Sequence, residues 1–169
     1  MGLDDDIRML ARAPLLAEIG RDGLRLVAFS AETRWLAPGE VLFEKGQAAD
    51  GGYVVVNGRL LLSAGAGGPP RQAGPGTLLG ETALFVETEH LVTAAAQHAA
   101  SVLSIPRLLF RRMLQEYPEA AETLMRRMSR RIQDERLELD AARRLLLDVD
   151  QRWRGLAQGR GEVKDRGEG

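Results

Sequence analysis

The residues whose types and spacing could do chemistry are Gly80-Glu81-Thr82-Ala83-Leu84-Phe85, followed after a short polar loop by Leu91-Val92-Thr93-Ala94. A glycine at the entrance to a short helix lets backbone N–H groups approach an anion, because it has no Cβ to hold the anion off. Glu81, one residue later, can accept hydrogen bonds from hydroxyls beside that anion. This is the chemistry of a cradle for a ribose phosphate. The stretch lacks an arginine, the side chain best shaped to pair with a phosphate.

Strands must deliver the chain to this stretch, and helices must come after it. From Ala31 to about Ile105, short apolar runs lie between glycines and prolines: Thr33 to Leu36, Val41 to Phe43, Tyr53 to Val56, Leu60 to Ser63, Leu91 to Ala95 and Ser101 to Ile105. The breakers between them read as turns: Pro38-Gly39, Gly46, Gly51-Gly52, Asn57-Gly58, Gly65 to Pro70 and Gly74-Pro75-Gly76. Asn57-Gly58 is the strongest hairpin signal, and residues 65–72 read as a loose hairpin tip with no chemistry assigned to it. Before the strands, residues 4–12 predict a short helix ended by Pro14. Leu15, Leu16 and Ile19 form an apolar knot, and Leu24 to Phe29 predict a second helix ending near Ser30.

Pro106 closes the strand region and opens an amphipathic helix, Leu108 to Leu114, stopped before Pro118. From Ala121, the positions Ala121, Met125, Met128, Ile132, Glu135, Leu139, Ala142, Leu146, Val149 and Trp153 alternate by four and three, the seam of a coiled coil. Leu124, Leu137, Leu145 and Leu147 lie off the seam, so another side of this helix is expected to pack on the β core. The expected layout is N-terminal helices over 1–30, a β-roll with the cassette over 31–106, C-terminal helices over 107–156 and a disordered tail over 157–169.

Composition narrows the function classes. The 169 residues carry a net charge of −1, so no global field favours nucleic acid or anionic lipid. There is no cysteine, hence no disulfide framework, thiol nucleophile or thiolate metal site. The acidic start and the lack of an apolar run of roughly 20 residues predict no secretion signal and no membrane span, and a cytoplasmic protein. The two histidines, His90 and His98, are not at ligand spacing, and neither a Walker loop nor a Ser-His-Asp context occurs, so no enzyme and no cofactor is expected. Glu87/Glu89 and Asp148/Asp150 read as surface charge rather than acid and base pairs. The basic run Arg126 to Arg131 is followed by Asp134, Glu135 and Glu138, which reads as a solvated helix face.

Three blocks carry a family resemblance: Pro38-Gly39-Glu40-Val41-Leu42-Phe43-Glu44-Lys45-Gly46; Ala49-Asp50-Gly51-Gly52-Tyr53-Val54-Val55-Val56-Asn57-Gly58-Arg59; and Gly80-Glu81-Thr82-Ala83-Leu84. In this order and spacing the chain resembles the cyclic nucleotide-binding domain of catabolite-activator-like regulators, kinase regulatory subunits and gated channels, over residues 4 to about 150. The resemblance implies a mainly β fold with helices: a jelly-roll-like β-roll flanked by N-terminal helices and a long C-terminal helix. It further implies a ligand site of Gly80, Glu81, Thr82, Ala83, Leu84, His90, Leu91 and Thr93. In it, backbone amides hold the cyclic phosphate, the glutamate takes the ribose 2′-hydroxyl, and an arginine about ten residues after the glycine pairs with the phosphate. That arginine position falls on His90, beside Glu89, and Leu91 and Val92 are bulkier than the small residues of the family pattern.

The resulting expectation is a non-enzymatic regulatory or sensor module with weak or lost affinity for cyclic AMP or cyclic GMP. It is expected to form a homodimer through the helix 119–155 and to act on an effector protein. One alternative is a working cyclic nucleotide receptor in which Arg59, Arg71 or an arginine of the long helix replaces the missing cation; another is a purely structural dimerisation module. For His90 the alternative to a phosphate contact is a solvated loop residue, and for Glu81 it is a cap on the short helix. No helix-turn-helix segment follows the long helix in this sequence, so DNA binding is not expected.

Overall fold

A computed structural model describes residues 2–65, 67–131 and 133. The chain divides into two compact units, Met1–Leu124 and Met125–Gly169. In the first, α1 (Leu3–Leu10), α2 (Pro14–Ala17) and α3 (Arg21–Ser30) precede ten strands among the described residues. Three aspartates in the first turn of α1 suit the positive end of its dipole. Pro14 opens α2 at its first position, where its missing N–H costs nothing, instead of merely ending α1 as the sequence suggested. Leu15, Leu16 and Ile19 of the predicted knot are all buried.

The strands are β1 (Glu32–Leu36), β2 (Val41–Phe43), β3 (Ala48–Ala49), β4 (Gly51–Asn57), β5 (Leu60–Ser63), β6 (Arg71–Ala73), β7 (Leu78–Leu79), β8 (Thr88–Glu89), β9 (Thr93–Ala96) and β10 (Ala100–Pro106). They form two four-stranded antiparallel sheets, β1-β10-β4-β7 and β2-β9-β5-β6, and the pair β3-β8. Alternation along β4 explains the layering. Val54 and Val56 point into a core shared with Leu103, Ile105 and the helices, whereas Val55 joins Leu42, Phe43, Leu60, Ala94 and Val102 between the sheets. The mainly β roll with flanking helices is therefore the observed architecture.

Two turn assignments fail for topological reasons. Asn57-Gly58 does not close a hairpin, because β4 and β5 belong to different sheets; it carries the chain from one to the other. Gly58 has φ +79°, and a Cβ there would lie 2.6 Å from the Ala99 carbonyl oxygen, so the crossing is too tight for a side chain. Gly51-Gly52 is not a turn either. It opens β4, with Gly51 opposite Pro106. The hairpin tip is confirmed, since β5 pairs with β6, although Arg71 and Gln72 already belong to the strand. The short strands β3, β7 and β8 were not predicted, and Leu91 and Val92 precede β9 instead of belonging to it. Runs of two residues carry no period to read.

After β10, α4 (Arg107–Glu116) buries Phe110 and Met113, and a second helix runs over 118–131 with Ala120 and Leu124 in the same core. Leu124, off the seam, thus packs inward as expected. Of the seam, Ala121, Met125 and Met128 are described. Ile132, Glu135, Leu139, Ala142, Leu146, Val149 and Trp153 lie outside the described residues, as do Leu137, Leu145, Leu147 and the predicted tail 157–169. Among the described residues no helix is long and apolar enough to cross a membrane.

Two glycine substitutions separate steric closure from backbone conformation. At Gly51 an added Cβ collides with the Ile105 carbonyl, whereas at Gly39, with φ +78°, it meets open space. Gly39→Ala is expected to lower the unfolding free energy in urea by about 1–2 kcal/mol, the cost of left-handed backbone. Gly51→Ala should lower it by more than about 3 kcal/mol or prevent folding, since the clash is with backbone that cannot rotate away.

Candidate functional site

The cassette begins where β7 ends against β4. Gly80 adopts φ +74°, ψ +34° and caps a 3-10 helix, Glu81–Leu84. Its left-handed backbone favours glycine, and a Cβ there would lie 3.0 Å from the Gly51 carbonyl oxygen. The turn is closed by N–H groups of Ala83 donating to the Gly80 carbonyl and of Phe85 and Val86 donating to that of Thr82, at 3.0–3.1 Å. Ala83 and Leu84 are buried, Glu81 is half-buried and Thr82 is exposed. The small helix is thus anchored by its apolar side and turns its first residues outward. A helix start leaves N–H groups without intrahelical acceptors, which is the property an anion uses.

The second half of the predicted site is brought alongside by the core between the sheets. Leu79, immediately before Gly80, is buried in the same cluster as Ala94, with Val92 packed against it. The β2–β3 turn grips this segment from the other side. Gly46 N–H donates to the His90 carbonyl at 2.8 Å, His90 N–H donates to the Gln47 carbonyl at 2.9 Å, and Lys45 N–H donates to the Thr93 hydroxyl at 3.0 Å. Accepting that bond uses a lone pair of Thr93 and not its proton. The Lys45 ammonium is engaged with the Ala64 carbonyl at 2.7 Å.

His90 is not a solvated loop residue. It is 7% exposed, and its ring stacks on Phe43 with centroids 3.7 Å apart and planes 7° from parallel. Phe43 in turn meets the half-buried Tyr53 at 5.8 Å, so three rings lie in a row. Burial pushes the His90 pKa down by penalising the imidazolium, and the Asp50 carboxylate opposes this only in part. Burial chiefly, with the Asp50 charge, pushes the Tyr53 phenol up. Leu91, the next residue, is 79% exposed, and Glu89 is exposed on β8. Of the alternative cations, Arg59 donates to the Gln72 side chain at 3.3 Å, and Arg71 lies on β6 opposite Leu62, which pairs in turn with Ala94 of β9. Among the described residues no group of three or more His, Asp or Glu could hold a metal ion.

One cation does reach the cassette, and sequence reasoning missed it. Nη1 of Arg107, the first residue of α4, donates to the carbonyls of Ala49 at 3.0 Å, Ala83 at 3.2 Å and Val86 at 3.2 Å. These acceptors are backbone atoms 58, 24 and 21 residues away, so no side-chain motif could have announced them. Arg107 faces the carbonyl end of the cassette helix, the end opposite the one that would receive an anion.

Residues 33–117 match the protein-family profile described as "Cyclic nucleotide-binding domain". A solved cyclic nucleotide-binding-like protein from Brucella abortus is 42% identical, with a TM-score of 0.60 over 66% of this chain and 99% of that one. The HTH-type transcriptional regulator Cmr of Mycobacterium tuberculosis is 28% identical over 73% of this chain and 52% of its own length. The lysophospholipase nte1 of Neurospora crassa is 31% identical over 66% of this chain but only 8% of its own. The chain thus spans about half of the curated regulator and a small part of the lipase. On this profile match, the Brucella likeness and the observed roll, the chain belongs to the cyclic nucleotide-binding domain family.

Proposed function

We propose that this chain is a non-enzymatic regulatory module whose affinity for cyclic AMP and cyclic GMP is weak or lost. The observation that carries the reading is His90, ten residues after Gly80, where the family resemblance expects the phosphate-pairing arginine. Its ring is buried against Phe43, which makes it a packing residue. A hydrogen bond to a charged group contributes roughly 1.5–3 kcal/mol, so loss of a bidentate arginine weakens phosphate binding by about one to two orders of magnitude. Glu89 nearby adds repulsion. Gly80, with its left-handed backbone, and the short helix after it preserve the architecture of a cradle without its cation.

The regulatory half of the proposal rests on the family and on the terminal helix. A ligand or partner that binds two positions of that helix with different affinity would shift its equilibrium and so signal to an effector protein. We assign dimerisation to the helix that the sequence predicts over 119–155, whose seam residue Met125 is 69% exposed. An apolar seam of this length is stabilised when a second copy covers it.

Titration calorimetry at neutral pH is expected to show no binding of cyclic AMP or cyclic GMP tighter than about 100 μM; micromolar affinity would refute the reading. His90→Arg is expected to lower stability, because it gives up the stack on Phe43, and to raise affinity by about tenfold or more, because it restores a partner for the phosphate. No gain would show that the rest of the pocket is closed as well. Light scattering at micromolar concentration should give the mass of a dimer, and a monomer mass would remove the seam from the proposal.

The packing role also fixes a pH dependence. His90 has a folded pKa below its ordinary value near 6.5, so the unfolded chain takes up the proton first as pH falls. Its stabilising contribution is complete above about pH 6.5 and is lost as pH drops through the lower folded value. Urea midpoints should therefore decline as pH falls below about 6.5, with a slope for this group of at most about 1.4 kcal/mol per pH unit. His90→Phe should flatten that part of the profile; an identical slope in the variant would show that His90 is not its source.

A further inference from the structure

We propose that Arg107 is a positioning residue that joins α4 to the cassette, so that the two move as one body whether or not a nucleotide is bound. The Nη1 group has only two protons, and three carbonyls lie 3.0–3.2 Å from it: Ala49 at the end of β3, Ala83 within the cassette helix and Val86 just after it. The main chain of the same residue is held as well, since Arg107 N–H donates to the Asp50 carbonyl at 2.7 Å. One residue therefore binds the first turn of α4 to the strand before β4 and to the far end of the cassette.

The Ala83 carbonyl, within the cassette helix, needs such a partner. The last C=O groups of a helix have no intrahelical donor, and a helix of four residues has little else to hold its end. A guanidinium supplies donors and a positive charge at the negative end of the helix together. A second contact on the same two elements points the same way: the Phe85 ring, just after the cassette helix, meets Phe110 of α4 edge to face at 5.4 Å. Phe110 and Met113 are fully buried in the helical core, so α4 cannot shift without drawing on the cassette through both links. By reciprocity, a ligand or partner that repositions the cassette biases α4 by the same free energy.

The latch is a property of the unliganded chain, so its failure is distinguishable from failure of the binding proposal above. Amide hydrogen exchange on the whole chain tests it with Arg107→Met and Arg107→Lys, comparing segment 81–86 with segment 53–57 of β4. Arg107→Met is expected to speed exchange of 81–86 by tenfold or more and to leave 53–57 within twofold of the unmodified protein. Arg107→Lys, which keeps the charge but not the planar fork, should fall between the two. Unchanged protection over 81–86, or an equal loss over 53–57, would overturn the proposal. If Arg107→Met does not fold, Arg107→Lys decides by the same comparison, a threefold gain confined to 81–86 supporting the latch and its absence refuting it.

Discussion

The close approach of three backbones at the start of β4 is the constraint on which the rest depends. Gly51 lets β10 lie directly against β4 at Pro106, Gly52 lets Leu84 of the cassette helix descend onto the strand, and Gly80 turns left-handed over the Gly51 carbonyl. A side chain at any of these positions would hold one layer off the others. The same approach directs the chain as it leaves β10. Pro106 lies opposite Gly51, and the next residue, Arg107, reaches the Ala83 and Val86 carbonyls of the cassette.

Two opposite ends of the cassette helix thereby acquire different roles. Its beginning faces outward, with Thr82 exposed and Glu81 half-buried, as an anion cradle would require. Its end is tied inward by Arg107 and by the ring contact of Phe85 with Phe110. Such an arrangement keeps the geometry of a binding site even if the site has ceased to bind, because the anchoring interactions do not involve the ligand. Gly80 and the short helix stand here beside a His90 whose ring packs against Phe43.

His90 illustrates how a packing role reaches beyond one side chain. The ring occupies a place between Phe43 and the β2–β3 turn, where Gly46 and Gln47 hold its backbone on both sides. A long charged side chain at that point would have to leave the stack to find water or phosphate, exposing Phe43 as it went. The stack and the burial together favour a neutral imidazole.

The strand runs, the helical spacing of the flanking segments and the glycine-punctuated blocks made the β-roll legible from the residues alone, because apolar periodicity and turn chemistry are local properties of the chain. The glycine-capped helix of the cassette was legible for the same reason. Pairing was not: Asn57-Gly58 looks locally like a hairpin, yet whether β5 joins β4 or β9 depends on which sheet has room for it. Gly51-Gly52 looks like a turn because sequence records the missing side chains and not the β10 backbone that occupies their space. The environment of His90 and the reach of Arg107 likewise came only with the tertiary structure. Their partners are a ring 47 residues away and carbonyls with no side-chain identity, and only folding brings such atoms together.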